Sequence, residues 1–389
     1  MRIFLLTLCL MLTACQHQPQ AAVQSSSVRF ATYNSSLYSE RDGGLVARLD
    51  AGDAKASDIA AVIQHQRPDV LLLNEFDYDP AHRAADLFQQ RYLEIGQHGQ
   101  APITYPYRYL GPVNTGIASG MDLDRNGKIE GGNDAFGFGL HPGQYGMLVL
   151  SRYPIDPAAV RSFQNFLWKD LPGAKSPRDP ATARDWYPPD SWERLRLSSK
   201  SHWDVPVRTP IGVVHFLVHH PTPPVFDGAE DRNGIRNSDE IRLWSEYIND
   251  QASPWLCDDG GVCGGLSTHA LFVIAGDHNA DPVDGDSTGN PMAQLLEHPR
   301  VLRFDPPRSQ GAEAAAIRVG GGNLTQRGSA AQDTGDFGPR VGNLRLDYVI
   351  PSTGLVVRGS GVFWPLPGQT GSDWIEATDH HMVWMDLGR

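Results

Sequence analysis

The stretch Ala270–Pro282 (ALFVIAGDHNADP) decides how the rest of the chain is read. Six mostly apolar residues, Ala270 to Ala275, run unbroken into Gly276, and a short apolar run bounded by Gly and Pro predicts a strand covered on both faces. Asp277, His278, Asn279 and Asp281 then fall at the strand's end, where a buried element delivers side chains into a crevice. Asp277 and Asn279 are two apart and point the same way if the segment stays extended. A carboxylate and an amide so placed suit a metal, a water or a phosphate oxygen; a strand followed by an Asx turn is the plainer alternative.

Working outward, the same grammar repeats. VRFATYN predicts a first strand, over Val28 to Thr32 and ending at Asn34. Ser57 is a good N-cap for a helix over Asp58–Gln66, which carries Ile59, Val62 and Ile63 on one face and stops before Pro68. Asp69 to Leu73 is a largely apolar strand ending in Asn74-Glu75, and Gln144–Ser151 is another. Gly212 to Val218 runs into His219-His220-Pro221; adjacent strand residues face opposite ways, so only one of the two histidines enters a site. Asp239–Ile248 predicts a helix with Ile241, Trp244 and Ile248 inward. Leu344–Ile350 reads as a strand with Asp347 in its middle, a charge that burial makes costly unless paired. The last strand, His381–Met385, follows Thr378-Asp379-His380. Strands and helices ordered in this way predict a layered α/β protein. Phe163–Trp192 is a long loop expected to wall the site, its Trp168, Trp186, Tyr187 and Trp192 either lining a pocket or packing the loop down. Pro307–Gly342 is the least legible part.

The 389 residues show no internal repeat and no linker beyond the N-terminal region, so residues 28–389 are expected to form one domain. A formal net charge of −12 argues against a broad basic surface for nucleic acid, and Arg178, Arg184, Arg194 and Arg196 are the only basic run. Residues 1–15 (MRIFLLTLCLMLTAC) form a targeting segment: Arg2 precedes an apolar run too short to span a bilayer. Its end, Leu12-Thr13-Ala14-Cys15, resembles a bacterial lipoprotein signal box, with Cys15 lipidated and residues 16–27 a polar tether. The expected location is the cell envelope, periplasm or outer membrane, or outright secretion, with membrane contact only through that lipid. Cys257 and Cys263 remain; an even pair in an exported domain predicts a disulfide, with zinc the weaker alternative. Asp122, Asp124, Asn126, Gly127 and Lys128 match the opening of a calcium loop. Its twelfth position is Asn133 rather than Glu, with Asp134 one further on, so a structural Ca²⁺ stands against a solvated acidic turn.

Collected together, the polar residues at strand ends or within strands are Asn34, Glu75, His220, Asp277, Asn279, Asp347, Asp379 and His380. The ordered set of TYN, LLLNE, the His220 segment, GDHNAD, LDYV and TDHH spans almost the whole mature chain. It resembles the endonuclease/exonuclease/phosphatase superfamily, which includes DNase I-like nucleases, sphingomyelinases and inositol phosphatases. The resemblance implies a four-layer α-β-β-α sandwich of two packed mixed sheets. It further implies that Glu75 binds a divalent metal, Mg²⁺ or Mn²⁺, with Asn34 and Asp379 close by. Asp277 and Asn279 would orient water and a phosphate oxygen. His220 and His380, the latter oriented by Asp347, would contact the scissile phosphate. Lys200 stands where some nucleases of the family place a phosphate-binding Arg. The expected function is metal-dependent hydrolysis of a small phosphoester by a monomer, with two alternatives: an extracellular endonuclease of the same fold, and a calcium-stabilised surface module without catalysis.

Overall fold

The computed structural model describes residues 27–249 and 252–389, so the signal segment, Cys15 and all but the last residue of the tether lie outside the described residues. In chain order the strands are β1 (Val28–Leu37), β2 (Val70–Phe76), β3 (Tyr107–Tyr109), β4 (Met147–Ser151), β5 (Arg161–Ser162), β6 (His202–Thr209) and β7 (Gly212–His219). They continue as β8 (Leu271–Asp277), β9 (Gly335–Asp336), β10 (Asn343–Leu344), β11 (Asp347–Pro351), β12 (Val356–Val362) and β13 (Val383–Gly388). The α-helices are α1 (Gly44–Ala51), α2 (Ala54–Gln66), α3 (Arg83–Phe88), α4 (Pro189–Trp192), α5 (Arg232–Asn249), α6 (Pro291–Leu296), α7 (Gln310–Val319) and α8 (Gly338–Val341).

One sheet has the order β12-β13-β1-β2-β4-β3 and the other β11-β8-β7-β6-β5. Both are mixed: β1–β2 and β7–β8 are parallel, their neighbours antiparallel. Alternation along the strands builds three apolar layers. Val70 and Leu72 of β2 face Val273 and Ala275 of β8 between the sheets. Leu71 and Leu73 turn outward onto Ile59, Ile63 and Leu87 of α2 and α3. Phe272 and Ile274 turn outward onto Ile241 and Trp244 of α5 and Leu295 of α6. The result is the four-layer α-β-β-α sandwich. Among the described residues no helix is long and apolar enough to cross a membrane.

Several boundaries differ from the sequence reading. Helix α2 starts a turn early, because Asp53 accepts the Ala56 N–H, while the Ser57 hydroxyl donates back to the Asp53 carbonyl. Helix α5 begins at Arg232 rather than Asp239. Asp347 opens its strand instead of sitting mid-strand. Just before it, the Arg345 N–H donates to Asp281 Oδ2 and the Leu346 N–H to Thr334 Oγ1, so no ladder forms there. Cys257 and Cys263 are disulfide-bonded. The aromatics of the 163–192 loop pack it down: Trp168 is fully buried, donates to Asp239 on α5, and meets Tyr187 edge-on and Trp192 at a tilt, while Tyr187 and Trp192 stack on each other.

Between α5 and the second sheet lies a layer of buried histidines. His202 Nδ1 is 2.6 Å from Ser198 Oγ, and its Nε2 is 2.8 Å from the Glu240 carbonyl and 3.1 Å from His219 Nδ1. Burial pushes His202 down to about 3, outweighing the opposing pull of the Glu240 carbonyl. The ring is therefore neutral in the fold, whereas in the unfolded chain it protonates below about 6.5. The unfolded state binds the extra proton, so this contribution is complete above pH 6.5 and is lost as pH falls from there towards 3. At about 1.4 kcal/mol per pH unit the loss is about 2 kcal/mol at pH 5. Urea unfolding at pH 7.5 and pH 5 should show it, and His202→Gln should reduce the difference by about that amount. An unchanged difference in the variant would sink this account.

Candidate active site

The parallel pairs β1–β2 and β7–β8 end at one edge of the sandwich, where Asn74 ties the two sheets together. Asn74 Oδ1 accepts the Asp277 N–H (3.1 Å) and its Nδ2 donates to the His219 carbonyl (3.3 Å). Asp277, only 1% exposed, is the centre of the site. Its Oδ2 accepts from Asn34 Nδ2 at 3.0 Å and lies 3.4 Å from His220 Nε2 and 3.6 Å from His380 Nε2. The β8–β11 register sets Asp347 opposite Asp277. Behind His380, Asp347 Oδ2 is 2.8 Å from the ring Nδ1 and accepts from the Thr334 hydroxyl at 2.8 Å. Of the adjacent histidines, His220 enters the site, while His219 packs outward with His202, His278 and Trp244.

These neighbours separate the charges of the two site histidines. Burial alone would lower His380, but Asp347 and Asp277 outweigh it and hold its imidazole well above the ordinary range. Burial and the nearby Lys200 charge lower His220 instead. Burial raises Asp347 to about 6, against the pull of His380. At neutral pH the arrangement is an imidazolium at His380 between two carboxylates, facing a neutral His220. Buried titratable groups pushed in opposite directions are common at functional sites.

Glu75 sits at the end of β2 with φ of 56°, and among the described residues its carboxylate takes no hydrogen bond or ion pair. Tyr38 and Lys55 each lie in the fields of both Glu75 and Asp379. Asn34 lies on the adjoining strand, its Oδ1 accepting the Ser36 N–H and its Nδ2 tied to Asp277. The free Glu75 carboxylate, with the Asp379 carboxylate, which takes the Thr378 hydroxyl, and the Asn34 amide oxygen, offers the oxygen donors that a hard divalent cation prefers. Among the described residues, two buried atoms of the site residues, His220 Nδ1 and Asp347 Oδ1, also have no hydrogen-bond partner.

A model of the endonuclease/exonuclease/phosphatase family matches residues 31–380. The chain belongs to this family. A family member from Beutenbergia cavernae DSM 12333 has the same fold, with TM-score 0.51, 18% identity, and 93% of this chain and 71% of that chain covered. More distant likenesses are sphingomyelinase C from Streptomyces griseocarneus (TM-score 0.44, 16% identity, 93% and 99% covered) and a magnesium-bound beta toxin variant from Staphylococcus aureus (0.43, 12%, 93% and 99%). No curated protein sequence is a significant match.

Within this family site, some residues sit differently from their sequence reading. Asn279 does not continue an extended segment: at φ 51° it turns left-handed, its N–H donates to Asp277 Oδ1 and its Nδ2 to the Pro221 carbonyl. The Asx turn and the site therefore coexist, with Asn279 pinning the His220 loop. Lys200 is buried with its ammonium in the fields of Glu240, Glu75 and Asp277, and burial lowers its pKa. In the 122–134 loop, Asp122, Asp124 and Asp134 each bring one oxygen within 4.8 Å of the others, and Gly127 makes the turn at φ 84°. The same carboxylates accept N–H groups of their own loop, including Leu123, Asn126, Gly127 and Glu130, and Asn126 Oδ1 accepts the Lys128 N–H. Sequence reasoning gave no role to Asn74, Thr334, Asn237 or Glu240. Glu240, on α5, accepts the Ser199 and Thr222 N–H groups, and Asn237 donates to the Thr222 and His278 carbonyls, fixing the loops beside Lys200 and His220. The available signal was the spacing of Asn237, Glu240, Ile241 and Trp244 on one helix face.

Proposed function

We propose that this protein is a divalent-metal-dependent phosphoester hydrolase that directs water in line at the phosphorus of a small soluble phosphoester. The observation that carries this reading is Asp277 Oδ2 within 3.6 Å of both His220 and His380, with Asp347 behind the latter. Glu75, Asn34 and Asp379 would hold Mg²⁺ or Mn²⁺, which when bound draws charge from the phosphoryl oxygen and lowers the pKa of water. His380, kept protonated by its carboxylates, donates to a phosphoryl or leaving oxygen as charge develops. Asp277 holds both imidazoles and the Asn34 amide in place. Neutral His220 and Lys200 complete the phosphate cradle.

A small substrate is favoured over nucleic acid because the arginine run does not gather into a cradle. Arg196 donates to Asn114, Arg178 pairs with Asp185, and Arg194 donates to the Asp190 carbonyl. On this reading the enzyme works as a monomer at the cell envelope, held by a lipid on Cys15. A structural Ca²⁺ in the 122–134 loop belongs to the same proposal: thermal melts should rise with Ca²⁺ over EGTA, and the Asp134→Asn variant should lose that rise.

The deciding assay is hydrolysis of bis-p-nitrophenyl phosphate and p-nitrophenyl phosphate with Mg²⁺, Mn²⁺, Ca²⁺ or EDTA, beside plasmid DNA. Turnover with Mg²⁺ or Mn²⁺ that EDTA abolishes supports the proposal, and the substrate ratio separates diester from monoester preference. Preferred cleavage of DNA favours the nuclease, and silence with every metal and substrate removes the enzymatic reading.

A further inference from the structure

Two tyrosines close over the end of β2, beside the proposed metal carboxylate. Strands β1 and β4 flank β2: Leu37 pairs with Phe76, and the Phe76 N–H donates to the Gly146 carbonyl. Tyr38 follows directly on the β1 side, and Tyr145 lies on the β4 side. Their rings meet with centroids 4.5 Å apart at 50°. The buried Asp77 carboxylate fixes both backbones, accepting the Ser39 N–H at 2.8 Å and the Tyr145 N–H at 3.0 Å. Both rings remain partly exposed, and both phenols lie in the field of Glu75. Across the site, half-buried Phe337 meets the His380 ring edge-on, with centroids 5.5 Å apart at 78°.

The faces of aromatic rings held partly open beside a reactive centre, unlike a phenol hydroxyl, do nothing for the phosphate itself. Water solvates its oxygens well, and Lys200 and the histidines already face them. What a rigid ring face offers is stacking with another flat ring, irrespective of that ring's substituents. A quaternary ammonium group prefers several ring faces around it, but here the two tyrosines touch each other and leave no gap between them.

We propose that Tyr38 and Tyr145 are the specificity-determining wall of this site, and that the ester accepted carries a flat aromatic ring, aryl or nucleobase, close to phosphorus. The proposal rests on the phosphoesterase reading and narrows its substrate. The Asp77 carboxylate acts as a positioning residue that sets the angle of both rings.

The test compares kcat/KM on bis-p-nitrophenyl phosphate with kcat/KM on glycerophosphocholine, as a ratio, for the full chain and for Tyr38→Leu, Tyr145→Leu, Tyr38→Phe and Tyr145→Phe. Leucine at either position should lower the aromatic-to-aliphatic ratio about tenfold or more, the scale of a lost stacking contact. Phenylalanine should keep the ratio within about threefold. A ratio unmoved by leucine, or lowered as much by phenylalanine, overturns the wall. A parallel binding arm does not depend on turnover: calorimetry of the His380→Ala protein with phenyl phosphate, adenosine 5′-monophosphate and methyl phosphate. Tighter binding of either ring-bearing ligand, lost on adding Tyr38→Leu, supports the wall even if no ester is hydrolysed, and shows whether aryl or nucleobase is preferred. Equal affinity for all three overturns it. Wild-type turnover failing everywhere while this arm succeeds would count against the hydrolase alone.

Discussion

His380→Ala should lower kcat/KM on the best phosphoester by about 10³, the middle of the range for a lost acid–base group. Asp347→Asn should lower it by about 10², because the amide keeps the side-chain shape but removes the negative charge that holds the ring protonated. The double variant should be no slower than His380→Ala alone, since Asp347 is 2.8 Å from the imidazole and acts through it. This pattern also distinguishes two roles for the cluster. Asp277, Asp347 and His380 bring one ligand atom each within 4.8 Å, a set that would also hold a cation. The Nδ1–Asp347 contact and the Thr334 hydroxyl on the same oxygen favour the dyad instead. If the dyad is right, the metal concentration for half-maximal rate stays within about twofold in both variants, whereas removing a ligand typically costs far more. A rise of tenfold or more would move these residues to the metal.

Much of this site was legible because a buried strand has little use for a polar end. Asn34, Glu75, His220 and Asp277 follow apolar runs whose alternation is fixed by two covered faces, and the structure collects them at one edge. Alternation gave only that one of His219 and His220 enters the site; that it is His220 came from the family resemblance. The residues that went unread are those whose partners are distant in sequence and bound through the backbone. Asn74 reaches Asp277, 203 positions away, and Thr334 takes N–H groups that a strand neighbour would otherwise bond. Pro307–Gly342 was opaque for a related reason. Helix α7 is an alanine-rich segment capped by Ser309, and the β9–β10 ribbon is only two residues a side, so neither presents a strong apolar period. Its contribution is to deliver Thr334 to Asp347 and Phe337 to His380.

Gly276→Ala should cost about 3–5 kcal/mol, enough to leave little folded protein at ordinary stabilities. The sequence reads the central strand as ending at Asp277, one residue beyond Gly276. In the fold Gly276 lies inside β8, paired with Tyr348 of β11, at φ 155°. Two penalties coincide there. The backbone conformation is one that side chains with a Cβ rarely adopt, worth about 1–3 kcal/mol. A Cβ would also press into the carbonyl oxygen of His219 on β7, which is backbone and cannot swing aside. That carbonyl already accepts Asn74 Nδ2, so displacing it loosens the sheet-to-sheet staple holding the Asp277 N–H. The glycine is thus what lets β7 and β8 approach closely enough to set His220 and Asp277 3.4 Å apart. Gly289→Ala is the matched control: Gly289 also has positive φ, 74°, but a Cβ there meets nothing within 4 Å. It should cost about 1 kcal/mol in urea unfolding and spare the phosphoesterase rate, whereas any Gly276→Ala protein recovered at low temperature should have lost most of its rate. Equal costs for the two variants would show that close packing against His219 is not what the site requires.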